Sequence, residues 1–310
     1  MKIVFMGTPE FAVPSLEILG KNGHTISAVV TTPDKERGRG QQMSFTAVKR
    51  AALDAGYPVL QPVSLKDRSF ADALREYAAD VFVVVAFRIL PREIYTIPPK
   101  GSFNLHASLL PKYRGAAPIN WALMNGETES GVTTFFLQDA VDTGSIILQS
   151  RTPIHEDMTA GELHDQLAML GAGSVLQTVN LIQAGNVIPL PQSNSGATSA
   201  PKIFRDDCRI RWNRTIREIH NHVRGLSPYP AAWTVHRGKV IKIYRTRTAA
   251  VMMPALESGS IFAHEGRLFA VAADGPIEIL EIQQEGKRRM TAEEFLRGYT
   301  VNTGEKFDSL

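Results

Sequence analysis

Apolar residues in the first two hundred positions follow two alternating patterns: short unbroken runs, and stretches in which they recur every three or four residues. The runs read as strands and the spaced stretches as amphipathic helices. Strands are expected at Ile3–Met6, Ile26–Thr31, Pro58–Gln61, Asp80–Phe87, Ser102–His106 and Val132–Leu137. Thr8 offers an N-cap with Pro9 at the first helical position, and Phe11, Leu16 and Leu19 form the apolar face of a helix that Gly23 ends. Further helices are expected over Thr46–Ala55, over Asp67–Ala78, and from the capping box Thr159-Ala-Gly-Glu162 to about Ala184. The run within Asp80–Phe87 is apolar on both faces, which suits a central parallel strand covered by helices on each side. Residues 1–188 therefore read as a doubly wound, mostly parallel α/β domain with right-handed crossovers.

Periodicity lapses at Pro189, and residues 189–207 are rich in turn formers, as interdomain linkers are. From 208 to 310 the pattern is a helix at Thr215–Val223, a late helix at Ala292–Arg297, and short strands between turns. Those strands, Ala232–His236, Val240–Tyr244, Gly259–Ala263, Leu268–Ala272 and Ile277–Gln283, suggest a small antiparallel barrel.

Charge changes this picture in one place. The net charge is only +3, yet ten basic residues lie between Arg209 and Arg247 with Glu218 as the sole acid. Such clustering suits a polyanion partner, and a solvated basic face is the plainer alternative. A second basic group, Lys35, Arg37, Arg39, Lys49 and Arg50, surrounds Gly38-Arg-Gly40. No apolar run reaches the roughly 20 residues of a membrane span, and Cys208 is the single cysteine. A cytoplasmic, monomeric protein with no membrane association is expected.

The candidate chemistry lies at strand ends, where doubly wound sheets bind ligands. Asn104 and His106, two apart on a strand, share a face. Asp142 sits in the polar turn Gln138-Asp-Ala-Val-Asp-Thr-Gly144. An amide, an imidazole and a carboxylate can bind a developing oxyanion and move a proton, a toolkit for acyl or formyl transfer to an amine. A structural polar cluster capping these loops is the alternative. Gly7-Thr-Pro lacks the three glycines of a dinucleotide fingerprint, so Asp34 is a weak ribose ligand. The histidines form no metal-ligand pattern, and no metal is expected. Trp212, Trp233 and Tyr229 fit core packing better than nucleotide stacking.

These residues resemble the methionyl-tRNA formyltransferase family. The match runs through Val4-Phe-Met-Gly-Thr-Pro-Glu-Phe-Ala-Val-Pro14, Pro33-Asp34, Gly38-Arg-Gly40, Asn104-Leu-His-Ala-Ser-Leu-Leu-Pro111, Arg114-Gly-Ala-Ala-Pro-Ile119, Asp142-Thr-Gly144 and Arg224-Gly-Leu-Ser-Pro-Tyr-Pro230. The resemblance implies a Rossmann-type formyltransferase domain and a C-terminal OB-like barrel. It places the catalytic trio on Asn104, His106 and Asp142. It places 10-formyltetrahydrofolate, as formyl donor, against Ser108, Leu109, Leu110, Pro111, Phe87, Arg88, Ile89, Leu90 and Asp139. Initiator methionyl-tRNA would meet Arg37, Arg39 and Lys49 from the inserted loop, and Arg209, Arg211, Lys239 and Lys242 from the basic domain. Its amine would attack directly, Asn104 and His106 stabilising the oxyanion and Asp142 orienting His106. Ala86-Phe-Arg-Ile-Leu-Pro91 departs from the family by being one residue shorter and lacking a glycine. A sugar-amine formyltransferase, a glycinamide ribonucleotide transformylase or a formyl-folate hydrolase would share the trio. A nucleotide-dependent oxidoreductase or a non-catalytic nucleic-acid-binding module would not need it.

Overall fold

A computed structural model describes residues 1–37, 42–249, 251 and 255–308. The chain separates into two compact units: Met1–Gly115, Ser130–Thr152 and His164–Ala200 form one, and Ala116–Glu129, Pro153–Leu163 and Pro201–Leu310 the other.

The first unit contains β1 (Lys2–Gly7), β2 (Thr25–Val30), the hairpin pair β3 (Lys35–Arg37) and β4 (Gln42–Ser44), β5 (Val59–Leu60), β6 (Val81–Val85) and β7 (Ser102–His106). Then come β8 (Arg114–Gly115), β9 (Glu129–Phe136), β10 (Ile146–Pro153) and β11 (Ser199–Ala200). Seven strands form the main sheet in the order β10-β9-β7-β6-β1-β2-β5. The β1–β2, β1–β6, β2–β5 and β6–β7 pairs are parallel and β7–β9 is antiparallel. Strand order reverses between β1 and β6, whose Ile3–Met6 and Val81–Val85 side chains are buried on both faces. This is the expected fold class.

Helices α1 (Val13–Lys21), α2 (Ala47–Asp54), α3 (Arg68–Glu76) and α4 (Arg92–Tyr95) belong to this unit, α5 (Pro118–Met124) to the other, and α6 (Ala160–Ala184) passes from the second unit into the first. Phe70, Ala71 and Leu74 of α3 and Ile94 of α4 pack on Val4, Met6, Phe82 and Val84 of the sheet. One expected boundary moves. The first helix starts at Val13, after a 3₁₀ turn at Glu10–Ala12, and Thr8 Oγ1 is buried without a partner rather than capping. Pro14 explains the shift: in a helix begun at Pro9 it would be interior, where its ring clashes and its missing N–H breaks the ladder, whereas the first turn tolerates it. α6 is long and apolar enough to cross a bilayer by length and composition alone. Its Leu163, Leu167, Ala172, Val175, Val179 and Ile182, however, form a stripe buried in the protein.

The second unit holds β12 (Ala232–His236), β13 (Lys239–Thr248), β14 (Ser260–His264), β15 (Arg267–Val271), β16 (Pro276–Gln284), β17 (Met290–Thr291) and β18 (Glu305–Lys306). Their order is β12-β13-β16-β15-β14-β18, with β17 on β16, and the pairs are antiparallel. Register breaks between Ile243 and Thr246 let β13 bend, as an OB-like sheet requires. α7 (Ile216–Leu226) and α8 (Ala292–Gly298) each begin with a capping box, at Thr215/Glu218 and Thr291/Glu294. Ile219, Val223 and Leu226 of α7 share a core with Ile241, Ile243, Ile279 and Trp212, and the Trp212 and Phe307 rings stack at 4.9 Å.

Candidate active site

β7 carries Asn104 and His106 toward its carboxyl end, where Asn104 is half-buried and the His106 side chain is 9% exposed. His106 Nε2 lies 2.8 Å from the Tyr113 carbonyl oxygen. A carbonyl only accepts, so Nε2 carries a hydrogen and Nδ1 is the nitrogen free to gain or lose one. Nδ1 faces Asp142 Oδ2 at 3.9 Å, within ion-pair range but beyond a hydrogen bond.

Asp142 is held from several sides. Its backbone is left-handed, with φ of 55°. Its Oδ2 accepts from Gly115 N at 2.9 Å. Gln138 Nε2 donates to Thr143 Oγ1 at 2.7 Å, and Thr143 Oγ1 donates to the Ala140 carbonyl at 2.9 Å, which closes the turn on itself. A Cβ on Gly144 would lie 1.6 Å from the Phe136 carbonyl oxygen, so only glycine fits there. The sequence shows Asp142 as a turn residue but not these long-range partners.

The Ser108–Pro111 loop is fixed from below by Thr133, fully buried on β9. Its hydroxyl donates to the Ser108 carbonyl at 2.6 Å and accepts from Leu110 N at 3.1 Å. Gln149 Nε2 donates to the Leu110 carbonyl at 2.8 Å and to Thr133 Oγ1 at 3.0 Å. Ser108 Oγ donates to the Lys112 carbonyl, Leu110 is buried, Leu109 is half-buried, and Leu110–Pro111 is a cis peptide.

The segment after β6 turns through the left-handed region at Ala86 (φ 47°) despite having no glycine. Phe87 and Leu90 pack into the core beneath the sheet, and Ile89 is exposed. Arg88 donates to the Val63 and Pro62 carbonyls at 3.0 and 2.8 Å, while its Nε is buried without a partner. Burial pulls the Arg88 guanidinium below its ordinary pKa. Asp139 accepts from Tyr95 Oη at 2.5 Å and pairs with Arg92 at 3.0 Å. That hydrogen bond pushes the Tyr95 phenol up.

Of the cations expected to meet RNA, Arg37 ends β3, opposite Gln42, and Arg39 lies outside the described residues. Lys49 is ion-paired with Asp34, which also accepts from Gln61 at 2.9 Å, and its ammonium sits 4.0 Å from the Phe45 ring centroid. Its bonds to Lys49 and Gln61 hold the Asp34 carboxyl below its ordinary pKa. In the second unit Lys239 and Lys242 stand exposed on β13, opposite His236 and Trp233. Arg211 is exposed, and Arg209 lies 5.4 Å from the Trp233 ring. Sequence reasoning missed Arg205, the same distance from that ring, whose carbonyl accepts from the indole at 2.9 Å. Six of the ten basic residues of 209–247 have partners within the fold: Arg214, Arg237, Arg245 and Arg247 pair with carboxylates, Arg224, buried, donates to the His155 and Met158 carbonyls, and Arg209 donates to the Asp308 carbonyl at 3.2 Å. Tyr229 is 84% exposed rather than packed. Among the described residues no group of three or more His, Cys, Asp or Glu side chains could hold a metal ion.

Residues 1–179 match the family described as formyl transferase, and residues 202–300 its C-terminal domain. A methionyl-tRNA formyltransferase of Chlorobium luteolum is 51% identical over 98% of this chain and 99% of its own length. One from Bacteroides thetaiotaomicron is 43% identical over 99% and 98%. A solved sugar 3N-formyl transferase, WlaRD, crystallised in the presence of dTDP and 5-N-formyl-THF, has the same fold. It is 23% identical with a TM-score of 0.68, covering 93% of this chain and 99% of that one.

Proposed function

The chain belongs to the methionyl-tRNA formyltransferase family, and from that premise we propose that it transfers formyl from 10-formyltetrahydrofolate to the α-amine of initiator methionyl-tRNA. The observation that carries the reading is the pairing of His106 Nδ1 with the Asp142 carboxylate at 3.9 Å at the carboxyl end of β7, the strand that also carries Asn104 two residues before His106.

An α-amine titrates near about 7.7–8.0, so a neutral fraction already exists at pH 7 and no strong base is required. When it attacks the formyl carbon, the oxygen becomes anionic. Asn104 donates to that oxygen from a rigid strand. His106 takes the proton released by the attacking amine at Nδ1, since Nε2 is engaged by Tyr113. The imidazolium so formed faces Asp142, which stabilises it and orients the ring. The formyl carbon–N10 bond then breaks, and N10 of the folate is protonated directly or through water. Ser108–Pro111, Phe87–Leu90 and Asp139 form the folate site in this reading. Arg209, Arg211, Lys239 and Lys242 have no carboxylate partner among the described residues and contact RNA phosphates.

Labelled formyl transfer from 10-formyltetrahydrofolate to methionyl-initiator tRNA tests this, with Asn104→Ala, His106→Ala and Asp142→Ala beside the wild type and a sugar amine as competing acceptor. Asn104→Ala is expected to lose on the order of 10²–10³ in rate. Formate release or a formylated sugar in place of formyl-methionyl-tRNA would discard the acceptor.

A further inference from the structure

The chain leaving α6 does not run free to the second unit. Leu190 bridges Ile146, and Ser199–Ala200 pair with Arg114–Gly115. Between these ties sits Gln192. Its Nε2 lies 2.9 Å from the carbonyl oxygen of Asp142 and 2.8 Å from that of Gly144. Its Oε1 lies 2.7 Å from Nη2 and 3.2 Å from Nε of Arg114. Carbonyls only accept and a guanidinium only donates, so the orientation of this amide is forced and its two N–H groups serve the two carbonyls. Arg114 also donates to Asn194 at 3.1 Å, and its neighbour Gly115 donates to the Asp142 carboxylate at 2.9 Å.

Asp142 is thus gripped at its main chain by Gln192 and at its carboxylate by Gly115. The grip has something to oppose, because a non-glycine residue at φ 55° is strained and persists only where its surroundings insist on it. The opposing side of the turn is closed by Gly144 against Phe136.

We propose that Gln192, backed by Arg114, is a positioning residue for formyl transfer, holding the Asp142 turn so that the carboxylate faces His106. The inference rests on the assignment of Asp142 made above. Gln192 does not touch the reacting atoms; it acts through Asp142.

The test measures kcat and KM for Gln192→Ala and Gln192→Glu, each also combined with Asp142→Ala. Gln192→Glu preserves shape and the Arg114 pairing but removes the donor to both carbonyls, so it decides the matter should Gln192→Ala fail to fold. Both single variants are expected to lose on the order of 10–100-fold in kcat, the scale of an ångström-level misplacement. KM for either substrate should stay within about threefold, since the loss falls on the reacting geometry. In the Asp142→Ala background neither change should lower the residual rate further, because residues acting as one unit are not additive. Undiminished kcat in both single variants, a loss confined to KM, or an equal further loss without Asp142 would overturn the proposal. If wild-type transfer falls in Asp142→Ala but survives in the Gln192 variants, the proposal alone fails. If Asp142→Ala retains full activity, the assignment fails and takes the proposal with it.

Discussion

The Tyr113 carbonyl, 2.8 Å from Nε2 of His106, decides which nitrogen of that ring can exchange a proton. Tyr113 is itself fixed, its backbone N donating to Thr198 Oγ1 at 2.8 Å. The ring therefore presents Nδ1 toward Asp142 in either charge state, without relying on a direct hydrogen bond at 3.9 Å.

Asp142→Asn keeps an oxygen for Gly115 N but removes the negative charge opposite Nδ1. Single-turnover formyl transfer should slow by on the order of 10²-fold, within the range of losing proton-transfer support. Urea denaturation should stay close to wild type. An unchanged rate would show that the carboxylate does not act through its charge.

Thr133→Val is nearly isosteric yet strips the hydroxyl that joins Ser108, Leu110 and Gln149. Leaving these buried groups short of partners should cost about 1–3 kcal/mol in urea unfolding. Folate binding, followed by fluorescence quenching, should weaken as the Ser108–Pro111 loop loosens.

Lys49 and Lys242 should behave differently toward RNA despite equal formal charge. Replacing Lys242, exposed beside Trp233, should reduce the slope of log K against log salt by about 1. Replacing Lys49, already neutralised by Asp34, should leave that slope unchanged. Filter binding across a salt series separates the two.

Glu305 accepts both oxygens' worth of hydrogen bonds from Arg237, at 2.6 and 2.7 Å, and its pKa falls from 4.5 to about 2. A depressed carboxylate contributes stability that is fully present above pH 4.5 and is lost as pH falls toward 2. The Tm difference between wild type and Glu305→Gln should therefore shrink across that window and be largest above it. A difference that is constant with pH would contradict the linkage.

Element types were readable because they rest on local patterns. A doubly apolar run such as Val81–Val85 has few other homes, and Asn104 and His106 share a face by strand alternation. What escaped reading is long-range pairing. Thr133 to Ser108, Gln192 to Asp142 and Asp34 to Lys49 join residues 15 to 50 apart, with no composition or spacing to announce them. Spacing likewise could not announce which of the ten basic residues of 209–247 have partners within the fold, as six of them do. The displaced start of α1 was legible in principle, had the second proline, Pro14, been weighed with Pro9.

The strap of residues 190–200 bears on how such a protein can be divided. A chain cut just after α6 would keep every residue of the trio yet lose Gln192 and Thr198, and with them the supports of Asp142 and Tyr113. Exchanging the C-terminal domain for another, in the laboratory or over evolution, is thus constrained to a seam downstream of Ala200. The seam is set by hydrogen bonds to the Asp142 turn and to Tyr113, and not by the end of α6.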